Sequence, residues 1–349
     1  MKLNTEPDIR IGIIGAGANT REKHIPKLAA LEGVEIVGVA NRSHGSSERV
    51  AQEFGFSKAY VDWHEVIEDK EVNAIVIGTW PNLHAPATIA ALTAGKHVLT
   101  EARMAMNASE ARAMFETAQD NPDLVAQVVP SPFTLHADRT IQRLVADGFL
   151  GELLVIDVQA GGGFLDREAP LVWRQDHELS GCNVMQLGIW YEAIMRWVGT
   201  ATRVMAMGKT FVRMRRDAAG VMRAVRIPEH MDVVADMACG AQAHFRMSAV
   251  TPFTGPPSAT LYGSDAALRF IDGKLLAAKK GAKDWKEIKI PADENTGWRV
   301  EEEFVRAIRG AERVSRTTFY DGLQYMEFTE AAARSLAGGR AVPLPLVPG

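Results

Sequence analysis

Residues 11–20 read IGIIGAGANT. The first four, Ile11-Gly12-Ile13-Ile14, are apolar or glycine with no polar alternation, which predicts the end of a parallel strand buried on both faces. Gly15 and Gly17 follow, and the chain then turns towards a helix. Gly15 allows the tight turn, and Gly17 lets backbone come close to a pyrophosphate. The helix start beyond offers N–H groups and the positive end of its dipole to that anion. The third glycine of the full dinucleotide fingerprint is missing, because Thr20 stands there. Taken alone, the glycines also fit a plain strand-to-helix turn.

Working outward, residues 21–31 suit a short helix with Pro26 in its first turn. Residues 34–40 suit a second strand, which ends at Asn41-Arg42-Ser43. In dinucleotide folds this end meets the adenosine ribose, where an acidic residue would accept the 2′-hydroxyl of NAD and repel the 2′-phosphate of NADP. Asn41 is neutral, and Arg42 and Ser43 can meet a phosphate, so the stretch leans towards NADP over NAD. A solvated Arg42, or one stacked on adenine, is the other reading. Further helices are expected at 46–54, 63–68, 85–94 and 108–119, and strands at 59–60, 74–77, 96–100 and 125–129. Strand and helix alternate throughout, which argues for an α/β Rossmann domain with a doubly wound parallel sheet over residues 1–130. Glu101-Ala102-Arg103 falls at a strand's C-terminal end, where open parallel sheets hold ligands.

The chain has 349 residues, 47% apolar and 23% charged, enough for two ordinary domains. A net charge of −4 argues against nucleic acid as a partner. Cys182 and Cys239 are the only cysteines, so neither a disulfide framework nor a zinc knuckle is implied. The first ten residues show no apolar signal region, and no apolar run is long enough to span a bilayer. The expectation is a cytoplasmic protein with no membrane partner.

The second half changes pattern. A helix at 139–147 ends at Gly148, a strand runs to Gln159, and Gly161-Gly162-Gly163 lets backbone approach a ligand. Residues 180–197, SGCNVMQLGIWYEAIMRW, suit a helix with Asn183, Gln186, Trp190 and Ala193 on one face. Strands then follow at 204–212, 231–239, 242–250, 259–262, 268–271 and 286–290. They make residues 131–349 an α+β domain with a large, mainly antiparallel open-faced sheet. Residues 209–226 carry six basic side chains with only Asp217 opposing. Such a run reads as a solvated hairpin guarding a sheet edge, or as a contact for a phosphate-bearing ligand. Helices close the chain at 298–308, with Glu302 and Arg306 at supportive spacing, and at 321–336, expected to return to the first domain.

Residues 74–105, AIVIGTWPNLHAPATIAALTAGKHVLTEARMA, resemble the signature region of the Gfo/Idh/MocA oxidoreductase family. The most specific pieces are NLH at 82–84, AGKHVL at 94–99 and GCNVMQLGIW at 181–190, and the similarity extends over nearly the whole chain. The resemblance implies oxidation or reduction of sugars, polyols and related compounds with NADP or NAD. It places cofactor contacts at Gly15, Gly17, Asn41, Arg42, Thr79, Asn82, His84 and Glu101, and Asn19, Ser43 and Trp80 beside them are further cofactor candidates. His84 also reads as a cap for the helix that follows. The family's open sheet face implies a homo-oligomer, with Met205, Met207, Met231 and Met237 available to such a face, or to the core.

The chain departs from the family pattern twice. The family usually has Glu-Lys-Pro after this strand, its lysine meeting the reacting oxygen. Here Ala102 takes the lysine's place and Arg103 follows. Arginine is too basic to shuttle protons, and neighbouring side chains of an extended segment point apart. The family's Asp-x-Gly-x-His reads Gln186-x-Gly188-x-Trp190, and an indole accepts no proton. One positioned acid or base is worth roughly 10²–10⁴ in rate, so losing both costs on the order of several kcal/mol of barrier. The replacement candidates are His177, Arg103 and Tyr191 for catalysis, with His136 as a second histidine. Arg174, Asn183, Gln186 and Trp190 are the candidates for substrate contact, Arg174 suiting a carboxylate or phosphate. His177 also reads as an ordinary surface-loop residue. Asp176, His177 and Glu178 are adjacent in sequence and poorly disposed to converge on one ion, so no metal is expected. Three functions fit: an NAD(P)-dependent oxidoreductase of a small polar substrate with altered acid–base residues; a catalytically silent ligand-binding sensor or regulator; or a lyase or glycoside-cleaving enzyme with tightly held cofactor.

Overall fold

The computed structural model describes residues 8–347. Its first elements are β1 (Ile9–Ile14), a π-helical turn (Thr20–His24), α1 (Ile25–Ala29), β2 (Val34–Ala40), α2 (His44–Phe54), β3 (Lys58–Tyr60) and α3 (Trp63–Glu68). β4 (Ala74–Ile77), α4 (Pro81–Thr93), β5 (His97–Thr100), α5 (Ala108–Asp120) and β6 (Ala126–Val128) follow. Next come α6 (Asp138–Ala146), β7 (Leu153–Ala160), α7 (His177–Ser180), α8 (Leu187–Val198), β8 (Ala201–Lys209), β9 (Met214–Arg216) and β10 (Met222–Ala224). β11 (His230–Met237), β12 (Gln242–Ser248), β13 (Ser258–Gly263), β14 (Ala266–Ile271), β15 (Lys274–Lys279) and β16 (Lys286–Glu287) complete the strands of the second half before the final helices. The last elements are α9 (Val300–Ile308), α10 (Phe319–Gly338) and β17 (Val342–Pro343).

Two compact units divide the chain. The first holds the residues up to 105, 109–130 and 299–323; the second holds 106–108, 131–298 and the residues from 324 onward. The first unit is built on a six-stranded sheet in the order β3-β2-β1-β4-β5-β6, with every pairing parallel. Strand order reverses between β1 and β4, so the exits of these two strands form the switch point. The core runs of β1 and β4 are buried without alternation, as parallel strands covered on both faces require. The free edge of β6 is closed by residues arriving from far along the chain. Val128 and Thr317 exchange backbone hydrogen bonds of 3.0 and 3.3 Å. The Gln127 amide donates to Glu303 at 2.9 Å and to the Arg316 carbonyl at 2.8 Å.

The second unit carries a nine-stranded sheet in the order β16-β15-β14-β13-β7-β12-β11-β8-β17, antiparallel except between β7 and β12. Alternation divides its side chains. Val204, Ala206, Phe245 and Met247 point into the core, while Arg203, Met205, Met207, His244 and Arg246 face out. Met231 and Met237 therefore join the core, and Met205 and Met207 the exposed face. An aromatic stack centres the packing: Tyr191 lies flat on Phe328 at 3.7 Å, and Phe245 meets Phe328 edge-on at 5.3 Å.

Three local expectations are corrected. Residues 274–279 form β15, which the alanine-rich sequence does not announce; Asp272 and Gly273, both at positive φ, make the two-residue turn that folds it onto β14. Asn183 does not share a helix face with Trp190, because α8 begins only at Leu187 and Met185 sits at φ 43°. The basic run at 209–226 has a second opposing charge, since Arg215 is buried against Glu229 at 2.7 Å. Glu229 also accepts the N–H groups of Phe211 and Val212, and Arg215 donates to the Ala169 carbonyl.

Removing one member of a buried ion pair strands the other charge, at a cost of about 3–5 kcal/mol. Arg215→Met alone is expected to lower the urea midpoint sharply, and Arg215→Met with Glu229→Leu to recover most of the loss. A double variant less stable than the single one would show that the pair is not what holds this hairpin.

Candidate active site

The switch point is built by close backbone contact. Gly15 has φ 86°, and a Cβ on it would lie 2.9 Å from the Thr79 nitrogen. A Cβ on Gly78 would lie 2.4 Å from the Gly15 carbonyl oxygen. Only glycine fits at either place. The Ala16 N–H donates to the Asn41 side-chain oxygen at 2.8 Å, and the Asn41 N–H donates to the Ser47 hydroxyl at 2.9 Å. Asn41 thereby ties the glycine loop to α2. Outward the loop is open: Gly17 and Ala18 are exposed, and a Cβ at Gly17 would meet only the Gly78 oxygen at 3.4 Å. An exposed glycine loop running from a buried parallel strand into a helix fits a dinucleotide pyrophosphate.

The other expected cofactor residues of this unit surround the strand exits. Arg42 is exposed, its guanidinium 5.8 Å from the Trp80 ring centre. Ser43 precedes α2 in extended conformation. Thr79 is half-buried, and Asn82 is exposed in the first turn of α4. His84 is fully buried, its two nitrogens 2.9 Å from the Arg103 carbonyl and 3.1 Å from the Thr79 carbonyl. Burial holds its pKa below the usual value, so a neutral ring donates to one of the two and links α4 to both strand exits.

The sequence offers no local sign of the most concentrated charge in this unit. His24, the last residue of the π-helical turn, is completely buried. Its Nε2 lies 3.0 Å from a Glu101 oxygen and its Nδ1 2.7 Å from a Glu301 oxygen. Two carboxylates can both be served only by an imidazolium, which donates from each nitrogen. Burial alone would lower its pKa, but the hydrogen bonds and charges of Glu101 and Glu301 outweigh that and push it up to about 9. Burial likewise opposes ionisation of Glu101, while His24 and Asn19 bring its pKa net below the usual range. Asn19 donates its side-chain amide to Glu101. Glu301 is 277 residues away in sequence, so spacing could not pair it with His24.

In the second unit, Trp190 is buried in α8 with its ring 5.1 Å from that of Phe133, and its indole N–H has no hydrogen-bond partner. The 131–134 segment is fixed to α8 by buried polar groups. The Ser131 N–H donates to both Glu192 oxygens at 3.1 Å, Arg196 bridges Glu192 and Asp138, and the Trp197 indole donates to Asp138 at 2.7 Å. Gln186 is exposed at the start of α8, and Asn183 is buried with its amide on the Ser180 carbonyl at 2.7 Å. His177 is exposed at the start of α7, and Arg174 stacks over Trp173 at 4.2 Å. Tyr191 lies in the core, its hydroxyl accepting the Ala201 N–H at 2.8 Å, and burial raises its pKa. His136 contacts the Gly273 carbonyl at 2.8 Å, outside any cluster of expected site residues. Arg103 belongs to the first unit and is buried. Among the described residues no group of three His, Cys, Asp or Glu side chains could hold a metal ion.

A profile described as an oxidoreductase family with an NAD-binding Rossmann fold matches residues 9–130, and the GFO/IDH/MocA C-terminal domain matches residues 139–269. The chain belongs to the Gfo/Idh/MocA oxidoreductase family. It is 30% identical over 193 residues to the uncharacterized oxidoreductase ORF334 of Rhizobium meliloti, covering 55% of this chain and 57% of that one. It is also 30% identical over 184 residues to the trans-1,2-dihydrobenzene-1,2-diol dehydrogenase of Mus musculus, covering 52% of this chain and 54% of that one. The chain thus spans about half the length of the curated relatives it matches. Its fold is that of a levoglucosan dehydrogenase solved with NADH and L-sorbose, at TM-score 0.84 and 20% identity over 97% of this chain and 99% of the other. Among the described residues no helix is long and apolar enough to cross a membrane.

The His24 cluster makes stability depend on alkaline pH. Because the folded pKa lies above the ordinary 6.5, the contribution of His24 is complete below that value and is lost as pH rises through about 9. Urea unfolding between pH 7 and 10 is expected to show a loss of stability in the native chain that His24→Gln lacks. Parallel curves for the two proteins would mean that His24 carries no extra proton in the folded state.

Proposed function

We propose that this chain is an NAD(P)-dependent oxidoreductase of a small polar substrate of the sugar, sugar-acid or polyol class, with an acid–base apparatus altered from the family pattern. The observation that carries the reading is the Gly15–Gly78 backbone contact at the switch point, which leaves the Gly17 side of the loop open to an anion. A nicotinamide dinucleotide held there supplies or accepts a hydride. Gly15, Gly17 and Asn19 are assigned to its pyrophosphate, and Asn41, Arg42 and Ser43 to its adenosine ribose. Thr79, Trp80, Asn82, His84 and Glu101 are assigned to its other half. The exposed Arg42 beside neutral Asn41 favours a 2′-phosphate, and hence NADPH over NADH.

The proton chemistry must differ from the family's. Ala102 offers nothing, and Trp190 offers a donor that cannot take a proton back. Its buried, unpaired N–H is suited to a substrate oxygen, since leaving such a group unsatisfied costs about 1–3 kcal/mol. His177 is assigned the proton transfer and Arg174 an anionic substituent, with Asn183 and Gln186 as further substrate contacts and Arg103 as a source of positive charge. Tyr191, engaged in the core, has no part in this assignment. The Ala102 and Trp190 positions equally support a second reading, a ligand-binding protein that does not turn over. The outward face bearing Met205, Met207 and Tyr262 is proposed to meet a second copy of this chain.

Titration with NADH and NADPH, read by tryptophan-to-nicotinamide energy transfer, is expected to give saturable binding, tighter for NADPH. Arg42→Ala should remove that preference, a change of about tenfold. A chain that binds neither nucleotide, and from which none copurifies, would end the oxidoreductase reading. In a turnover screen of sugars and sugar acids, His177→Ala should lower kcat by roughly 10²–10⁴. Unchanged kcat would remove His177 from the mechanism. Activity appearing only in Ala102→Lys with Trp190→His would favour the silent binder.

A further inference from the structure

Hydride transfer as proposed leaves two members of a buried cluster with Glu101, His24 and Glu301, without a task. Three distant stretches of chain converge on one imidazole: the π-helical turn after the glycine loop, the exit of β5, and the first turn of α9. A π-helical turn accommodates one more residue than an α-helical turn, and the Ile25 N–H closes it on the Thr20 carbonyl. The cluster reaches the glycine loop through Asn19, two residues beyond Gly17, whose amide donates to Glu101. Glu101 also accepts the Ala102 N–H at 3.2 Å with its second oxygen.

The charge balance is simple. Two carboxylates and one imidazolium leave a net charge of −1, whereas a neutral imidazole would leave −2. A dinucleotide brings a doubly negative pyrophosphate to the loop that Asn19 ends, and charges in a partly buried site are weakly screened. We propose that His24 is a positioning residue for the dinucleotide: as an imidazolium it fixes Glu101 and Asn19 at the end of the glycine loop and cancels one of two buried negative charges that would repel the pyrophosphate. The inference rests on the cofactor reading above. Glu101 at the exit of β5 and Glu301 from α9 face His24; behind Glu101 stands His84, whose pKa burial lowers. Deprotonation of His24 through about pH 9 therefore removes the cancelling charge.

The test measures the NADH dissociation constant of the intact chain from pH 6.5 to 10.5, in the native protein, His24→Gln, Glu301→Gln and the double variant. The native affinity is expected to be level up to about pH 8 and then to fall by about tenfold through pH 9 to 10. His24→Gln should bind about tenfold more weakly at pH 7.5, with no alkaline fall. Glu301→Gln should move the fall to lower pH, because a single carboxylate holds the His24 proton less tightly. The double variant should regain affinity over His24→Gln. A role in packing alone predicts the opposite, a double variant no better than the single one and unchanged pH profiles, and that result overturns the proposal. Should His24→Gln fail to fold, the alkaline fall in the native chain and its displacement to lower pH in Glu301→Gln decide the matter. A native chain that does not bind NADH at pH 7.5 overturns the cofactor reading and this inference together. A native chain that binds with a flat profile up to pH 10.5 overturns this inference alone.

Discussion

Between Gly15 and Gly78 two backbones touch with no room for a side chain on either. Much of the first unit follows from that contact. It brings the exits of β1 and β4 together at the point where strand order reverses, and it sends the loop outward at Gly17. Asn41 and Ser47 then anchor the loop to the second strand and its helix. A parallel sheet presents ligand-facing groups only at its C-terminal ends, so four strand exits supply the groups assigned to the cofactor: those of β1, β2, β4 and β5.

Around this apolar scaffold the polar groups are buried in satisfied networks. His84 joins two strand exits through carbonyls, His24 joins three chain segments through carboxylates, and Glu192 with Asp138 holds the 131–134 segment on α8. Each network costs desolvation and returns definition of position, which a packed apolar surface gives less well. Some buried polar atoms stay outside these networks, among them the Trp190 indole N–H and the Ser131 and Thr100 hydroxyls.

The alternation of strand and helix in the first 130 residues could be read directly, because buried parallel strands and glycine-marked loops have local signatures. The open sheet was readable for the same reason, since its strands alternate. β15 was not, because KLLAAK carries helix-favouring residues and is made a strand by the turn at Asp272 and Gly273. Asn183 was misplaced because helical spacing says nothing of a positive φ at Met185. Glu229 and Glu301 carry no signal at all: each acts on a partner that only the tertiary fold brings near. The glycine loop and the strand exits around it were thus more legible than their electrostatics, motifs being local and charge pairing being three-dimensional.

The β6 edge is closed by residues 316–318 and Gln127 is held by Glu303, while His24 waits for Glu301. All of these partners lie beyond eight of the nine strands of the second unit's sheet. During synthesis the first unit therefore emerges early but stays open, with an unpaired sheet edge and a buried histidine facing one carboxylate in place of two. It closes only when residue 323 or so has left the ribosome, after nearly all of the second unit's strands. The order of emergence and the order of completion are reversed, and the interval between them is when an unprotected parallel edge is most exposed to wrong partners.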